Sequence, residues 1–215
     1  HEIDADTMLA TVHEVVSLAH DAIHQFEGSL NKLSVDDKGV SLLAVFGLPP
    51  VSHEDDAARA CMAAMRLQER LRGIGHGSSV GVSTGQAFCG AVGSDIRREY
   101  TVIGDVVNLS ARLMQAADGG ILCETGTYEE AVVAIQFRKL DPIMVKGKSN
   151  LIPIFEPFAA MSADAKEKKK ADSRQIMVGR ERELKKFILS LVALREESQG
   201  SIQIIEGQPG CGKSL

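Results

Sequence analysis

Apolar and polar positions alternate along this chain with two different periods, and the changes of period mark its elements. From Asp6 to Phe26 apolar residues recur at helical spacing, with Met8, Val12, Val15, Val16, Ala19 and Ile23 on one face, and Gly28 ends the run. Two β runs follow, Ser29–Val35 and Ser41–Phe46, joined by the hairpin turn Asp36-Asp37-Lys38-Gly39. Pro49-Pro50 then breaks the chain. Ser52 is placed to cap a second helix, His53 to Arg72, whose first turn holds Glu54, Asp55 and Asp56, where acids suit the helix dipole. Small residues, Ala57, Ala60, Cys61 and Ala64, make its packing face. Strand patterns return at Ser78–Thr84 and Ala87–Val92, with Gly85-Gln86 expected to connect them as a tight hairpin.

The stretch Glu99–Arg112 is the most informative. Tyr100 to Ile103 is a β run, Gly104-Asp105 turns the chain, and a helix follows with Val106, Leu109 and Leu113 on one apolar stripe. Asn108 and Arg112 are four apart and share a different face of that helix. An amide beside a guanidinium can polarise a hydroxyl or ether oxygen and hold a phosphate, because arginine carries a permanent charge and a fixed fork of donors. Beyond it come a short strand Ile121–Cys123, a helix from a Thr125 cap to about Ala134, and strands at Ile135–Leu140, Ile143–Lys146 and Leu151–Phe155. Composition then shifts to Ala, Lys, Glu, Asp and Ser, which reads as a solvated linker over 159–175. A new unit over 176–215 begins with a helix, Arg182 to Glu197, and a strand, Ser201–Glu206. It ends in G-x-x-x-x-G-K-S, in which Gly207, Gly212, Lys213 and Ser214 are the phosphate-loop positions. The chain stops one residue later, so this unit reads as the truncated start of a P-loop α/β domain.

Bulk properties narrow the function classes. The 215 residues carry a net charge of −5, with 44% apolar and 25% charged residues, which fits a globular core with an ordinary polar surface. A negative balance without a basic stripe argues against nucleic-acid binding, and no apolar run has the length to cross a bilayer. The cysteines Cys61, Cys89, Cys123 and Cys211 form no CxxC pair and read as reduced thiols, consistent with a cytoplasmic protein. His20 and His24 have metal-compatible spacing but no third ligand beside them, so a half-exposed helix edge is the better reading. The acids after His53 are explained by helix-start chemistry. Gly81, Gly85, Gly90 and Gly93 precede no helix start at phosphate-loop offset and read as sites of close backbone approach, as at a dimer interface.

The phrase EYTVIGDVVNLSAR resembles the signature of the class III nucleotidyl cyclases, and the resemblance runs from the first helix to Phe158. It implies an α+β, ferredoxin-like catalytic domain over 1–158, with an antiparallel-rich sheet covered by helices on one face and used for pairing on the other. It implies that Asn108 orients the ribose and Arg112 stabilises charge developing on the α-phosphate. Lys32 and Thr101 match the base-reading positions, and Lys146 matches a lysine that contacts the polyphosphate. Lysine can donate to adenine N1 and a threonine oxygen can accept from the adenine amino group, a pattern that favours ATP over GTP. The reaction implied is attack of the ribose 3′-hydroxyl on the α-phosphate with release of pyrophosphate, assisted by Mg2+ or Mn2+.

One departure matters. The family's metal-binding aspartate follows a glycine before the AVFG run, and here that pair is Gly39-Val40. Valine has no oxygen for a hard cation. Asp36 and Asp37 lie on the other side of the turn, and the family's upstream Phe-x-Asp-Ile segment is not in this sequence. The pattern resembles the second, metal-free catalytic half of the mammalian-type soluble adenylyl cyclases. It implies a site completed by a homologous metal-bearing domain, expected earlier in the same full-length protein, with the metal supplied through that partner. The alternative is a non-catalytic pseudo-cyclase that dimerises and regulates a signalling NTPase.

Overall fold

A computed structural model describes residues 5–36, 39–145, 150–162, 181–197 and 199–202. The chain divides into two units, 1–166 and 167–215. In the first, the amphipathic run at the start is helix α1 (Ala5–Gln25), which buries Ala19, Ala22 and Ile23. The hairpin follows as β1 (Ser29–Asp36) and β2 (Gly39–Val45), closed by the pairing of Asp36 with Gly39.

Helix α2 spans Asp56–Gly73, so it begins three residues later than the helix expected from the Ser52 cap. The Asp56 carboxylate is the reason. It accepts from the His53 amide at 2.8 Å and from the Ser52 hydroxyl at 3.4 Å, which folds the approach into a turn before the helix starts. A charged clamp ties this point to the end of α1. The Glu27 carboxylate meets both the His53 ring, at 3.1 Å, and the Arg59 guanidinium. Arg59 also donates to Asp55 at 2.7 Å, and that bond holds the Asp55 carboxyl below its usual pKa.

The next strands pair differently from the hairpin expected at Gly85-Gln86. β3 is short (Val80–Val82) and pairs in parallel with β6 (Ile121–Glu124). β4 (Phe88–Gly93) pairs instead with β5 (Arg98–Ile103) in an antiparallel arm. Glu124 explains the divergence. Its buried carboxylate accepts from the Thr84 amide at 3.1 Å and from the Thr127 amide and hydroxyl, each at 2.9 Å. It thereby draws the end of β3 toward helix α4 (Thr125–Ala131) and away from β4. Glu124, not Thr125, is thus the cap of α4.

The three terminal strands expected from the sequence are two long ones, β7 (Ile135–Ile143) and β8 (Ile152–Ala160). The register shifts between Leu140 and Ile143, which lets β7 carry Pro142 without ending. β8 reaches Ala160, two residues into the stretch read as linker. The main sheet has the order β3-β6-β8-β7, and β1-β2 and β4-β5 are separate two-stranded arms. The α+β character is as expected, while the single sheet is replaced by a mixed four-stranded core and two hairpins.

Two apolar clusters sit against the main sheet. Ala57, Ala58 and Cys61 of α2 pack with Ala131 and Ile135. Leu113 of helix α3 (Asp105–Ala116), fully buried, packs with Leu122 and Ile154. Gly81 allows α3 to lie directly on β3. A Cβ at this position would collide with the Ser110 carbonyl and the Met114 amide, both backbone atoms that cannot swing aside. The close approach expected of this glycine is therefore within the chain. The second unit contains helix α5 (Glu181–Glu197), with Leu184, Phe187, Ile188 and Leu191 exposed at helical spacing. The phosphate-loop residues Gly207, Gly212, Lys213 and Ser214, and most of the strand expected before them, lie outside the described residues.

Gly81→Ala is expected to lower unfolding stability by about 3 kcal/mol, read as a fall in the urea midpoint. Gly73→Ala, where an added Cβ meets nothing within 4 Å, should leave the midpoint unchanged or raise it slightly.

Candidate active site

The strand-turn-helix from Arg98 to Ala116 frames the site. β5 passes through Gly104 alone into α3, and Asp105 occupies the first helical position, where its charge suits the dipole. α3 is fixed from below by Leu113 and at its start by Ser83, whose hydroxyl donates to the Val106 carbonyl at 2.7 Å. Asn108 on this helix is exposed, and Arg112 one turn later is half-buried. Among the described residues no carboxylate pairs with Arg112, so its guanidinium is not neutralised from within the described chain.

Thr101 lies on β5, half-buried, opposite Gly90 of β4. The Phe88 ring fills the space that a side chain at position 90 would occupy. Lys32 lies exposed on β1, opposite Leu43. The two arms meet at the residues just before these: the Asn31 side chain donates to the Tyr100 carbonyl at 3.3 Å. Lys32 and Thr101 therefore stand on neighbouring arms, and the β5 arm continues directly into the helix that carries Asn108 and Arg112. Lys146 lies outside the described residues.

The donor set for a divalent cation is poor. Val40 sits half-buried on β2 opposite Val35, and its alkane side chain offers no oxygen to a hard cation. Among the described residues no three His, Cys, Asp or Glu side chains gather as a metal site. His20 and His24 stack with ring centroids 5.7 Å apart, and His20 is near Asp21. The described residues do not fit a resident metal.

Residues that sequence reasoning missed are the supports. Asn31 is a polar residue in a strand beside a lysine, and nothing in its local pattern marks it. Glu124 left a readable trace: a carboxylate directly before Thr-Gly-Thr, at a helix start. The two buried thiols, Cys61 and Cys123, are unreactive by environment. Burial pushes Cys61 up to about 12 and raises Cys123 further, with the Glu124 charge adding to both.

The family model for the adenylate and guanylate cyclase catalytic domain matches residues 3–155. The chain belongs to this family. As a class III cyclase domain it is 31% identical over 202 residues to adenylate cyclase type 10 of Homo sapiens, a match covering 88% of this chain and 12% of that protein. It is 27% identical over 171 residues to adenylate cyclase 1 of Rhizobium meliloti, covering 74% of this chain and 25% of that one. The chain thus spans only a small part of the relatives it matches. Among solved structures, the adenylyl cyclase CyaB of P. aeruginosa superposes with a TM-score of 0.63 at 25% identity, covering 74% of this chain and 86% of that chain. The guanylate cyclase domain of RhGC from Catenaria anguillulae, solved with GTP, has a TM-score of 0.65 at 21% identity, covering 74% of this chain and 88% of that chain, and so shares the fold. Among the described residues no helix of this cyclase domain is long and apolar enough to cross a membrane.

At pH 8 a thiol reagent should label Cys89, which is half-exposed, well before Cys61 and Cys123 in the folded protein. Mass spectrometry of partially labelled protein, with the same reaction in denaturant as reference, checks the order.

Proposed function

We propose that this cyclase domain is one half of an adenylyl cyclase site, forming cyclic AMP and pyrophosphate from ATP together with a homologous metal-bearing domain. The observation that carries the reading is the rigid mounting of Asn108 and Arg112 on α3, directly continuous with the strand that carries Thr101. Lys32 and Thr101 would read the adenine edge, Lys32 donating and Thr101 accepting. Asn108 would hold the ribose so that its 3′-hydroxyl faces the α-phosphate. Arg112 would meet the charge that grows on the α-phosphate oxygens during attack, and its freedom from any described carboxylate suits that role. Lys146 would contact the polyphosphate.

Cyclases of this class use Mg2+ or Mn2+. With Val40 at the hairpin position, the cation is assigned to the partner domain, expected in the same full-length protein. The phosphate-loop motif at 207–214 supports a further NTPase domain after this one, and the whole is read as a cytoplasmic signalling protein.

Val40 also favours a second reading, in which the domain pairs with a partner for regulation and performs no chemistry. The two readings part experimentally. On the first, the chain alone, even as a homodimer, makes almost no cyclic AMP, and adding the metal-bearing half restores synthesis. Arg112→Ala in the restored pair should lower kcat by about 10²–10³-fold with pairing intact by sedimentation. Substantial activity of the chain alone would reject the division of labour. Pairing without any cyclic AMP would select the regulatory reading.

A further inference from the structure

Lys32 and Thr101 stand on strands that no backbone ladder joins. β1 pairs with β2, β5 pairs with β4, and each arm is a separate two-stranded sheet. Such arms can hinge independently unless something ties them together. Among the described hydrogen bonds, one runs from β1 to β5: the Asn31 amide donates to the Tyr100 carbonyl at 3.3 Å, across 69 residues of sequence. Asn31 immediately precedes Lys32, and Tyr100 immediately precedes Thr101.

The backbone around Asn31 is shaped for this contact. Leu30 lies opposite Ala44 and Lys32 opposite Leu43, so Asn31 is the extra residue of a β-bulge, with no partner of its own on β2. A bulge bends its strand and re-aims a side chain. Here the re-aimed side chain reaches the neighbouring arm and occupies a carbonyl on the edge strand β5. That carbonyl belongs to the backbone, so the bond acts on the strand itself and not on a side chain that could swing away.

We propose that Asn31 is a positioning residue that sets the separation of Lys32 and Thr101, and through it the preference of the site for adenine over guanine. The inference rests on the reading of those two residues as base readers. Adenine is told from guanine by a donor and an acceptor acting at once, since guanine presents the reverse pattern on the same edge. Two contacts discriminate together only while their spacing matches the base. With the arms untied, each group still meets a base singly, but the pair loses its power to reject the wrong one. Asn31 does this without touching the nucleotide.

The test is competition of ATP and of GTP against a fluorescent ATP analogue, on the chain assembled with its metal-bearing half. Asn31→Ala should narrow the ATP-to-GTP affinity ratio about fivefold through weaker ATP binding, the size of one lost hydrogen bond. Asn31→Asp should narrow it at least as much, because a carboxylate then faces the Tyr100 carbonyl. Any loss of folded protein lowers binding of both nucleotides alike, so the ratio reports positioning and not stability. Lys32→Ala is the control for the underlying reading and should erase the preference. If Lys32→Ala erases it and both Asn31 variants keep the wild-type ratio, the positioning role is overturned while the base reading stands. If the wild-type assembly binds neither nucleotide or both alike, or Lys32→Ala keeps the preference, the base reading is overturned and the positioning role with it.

Discussion

The contact on which the rest of this domain depends is the backbone of α3 lying against the backbone of β3 at Gly81. No side chain intervenes there, so the helix sits at one height above the sheet. That height lets Leu113 reach Leu122 and Ile154, and lets Ser83 reach the first turn of the helix. The face of α3 that bears Asn108 and Arg112 is therefore held by packing. A helix mounted on flexible side chains would tilt, and two groups one turn apart would swing with it.

The other half of the site is built differently. Lys32 and Thr101 ride on hairpin arms outside the main sheet, and among the described hydrogen bonds one, from Asn31 to the Tyr100 carbonyl, joins those arms. Large apolar residues, among them Leu33, Val35, Phe88, Val92, Tyr100 and Ile103, are exposed on these arms. Groups that would act on the reacting phosphate thus sit on a helix packed against the main sheet, and groups that would recognise the base sit on hairpin arms outside it.

How much of this was legible follows from the range of each interaction. Helical and β periodicity are local, so α1, β1, β2, α3 and α5 fall within a few residues of their expected bounds. Misread features were decided by distant groups. The Asp56 carboxylate delays α2 through the His53 amide, and Glu124 diverts β3 from a hairpin that Gly85-Gln86 favours locally. Gly81 announced a close approach, but not that the approaching backbone was a helix of the same chain. The phrase from Glu99 to Arg112 was readable because strand, turn and helix follow one another without interruption. Asn31 was not, because its partner lies on another arm, and sequence pattern records no such pairing.

The parallel pairing of β3 with β6 has a consequence for how the domain is born. Val80 must find Ile121, about forty residues away, before the sheet can seat α3. The β4-β5 arm and α3 itself lie inside that loop and depend on nearby contacts, so they can take shape while it is still open. Closing the loop then brings the strand-turn-helix onto the sheet, so the arrival of β6 is the step at which α3 first gains its seat.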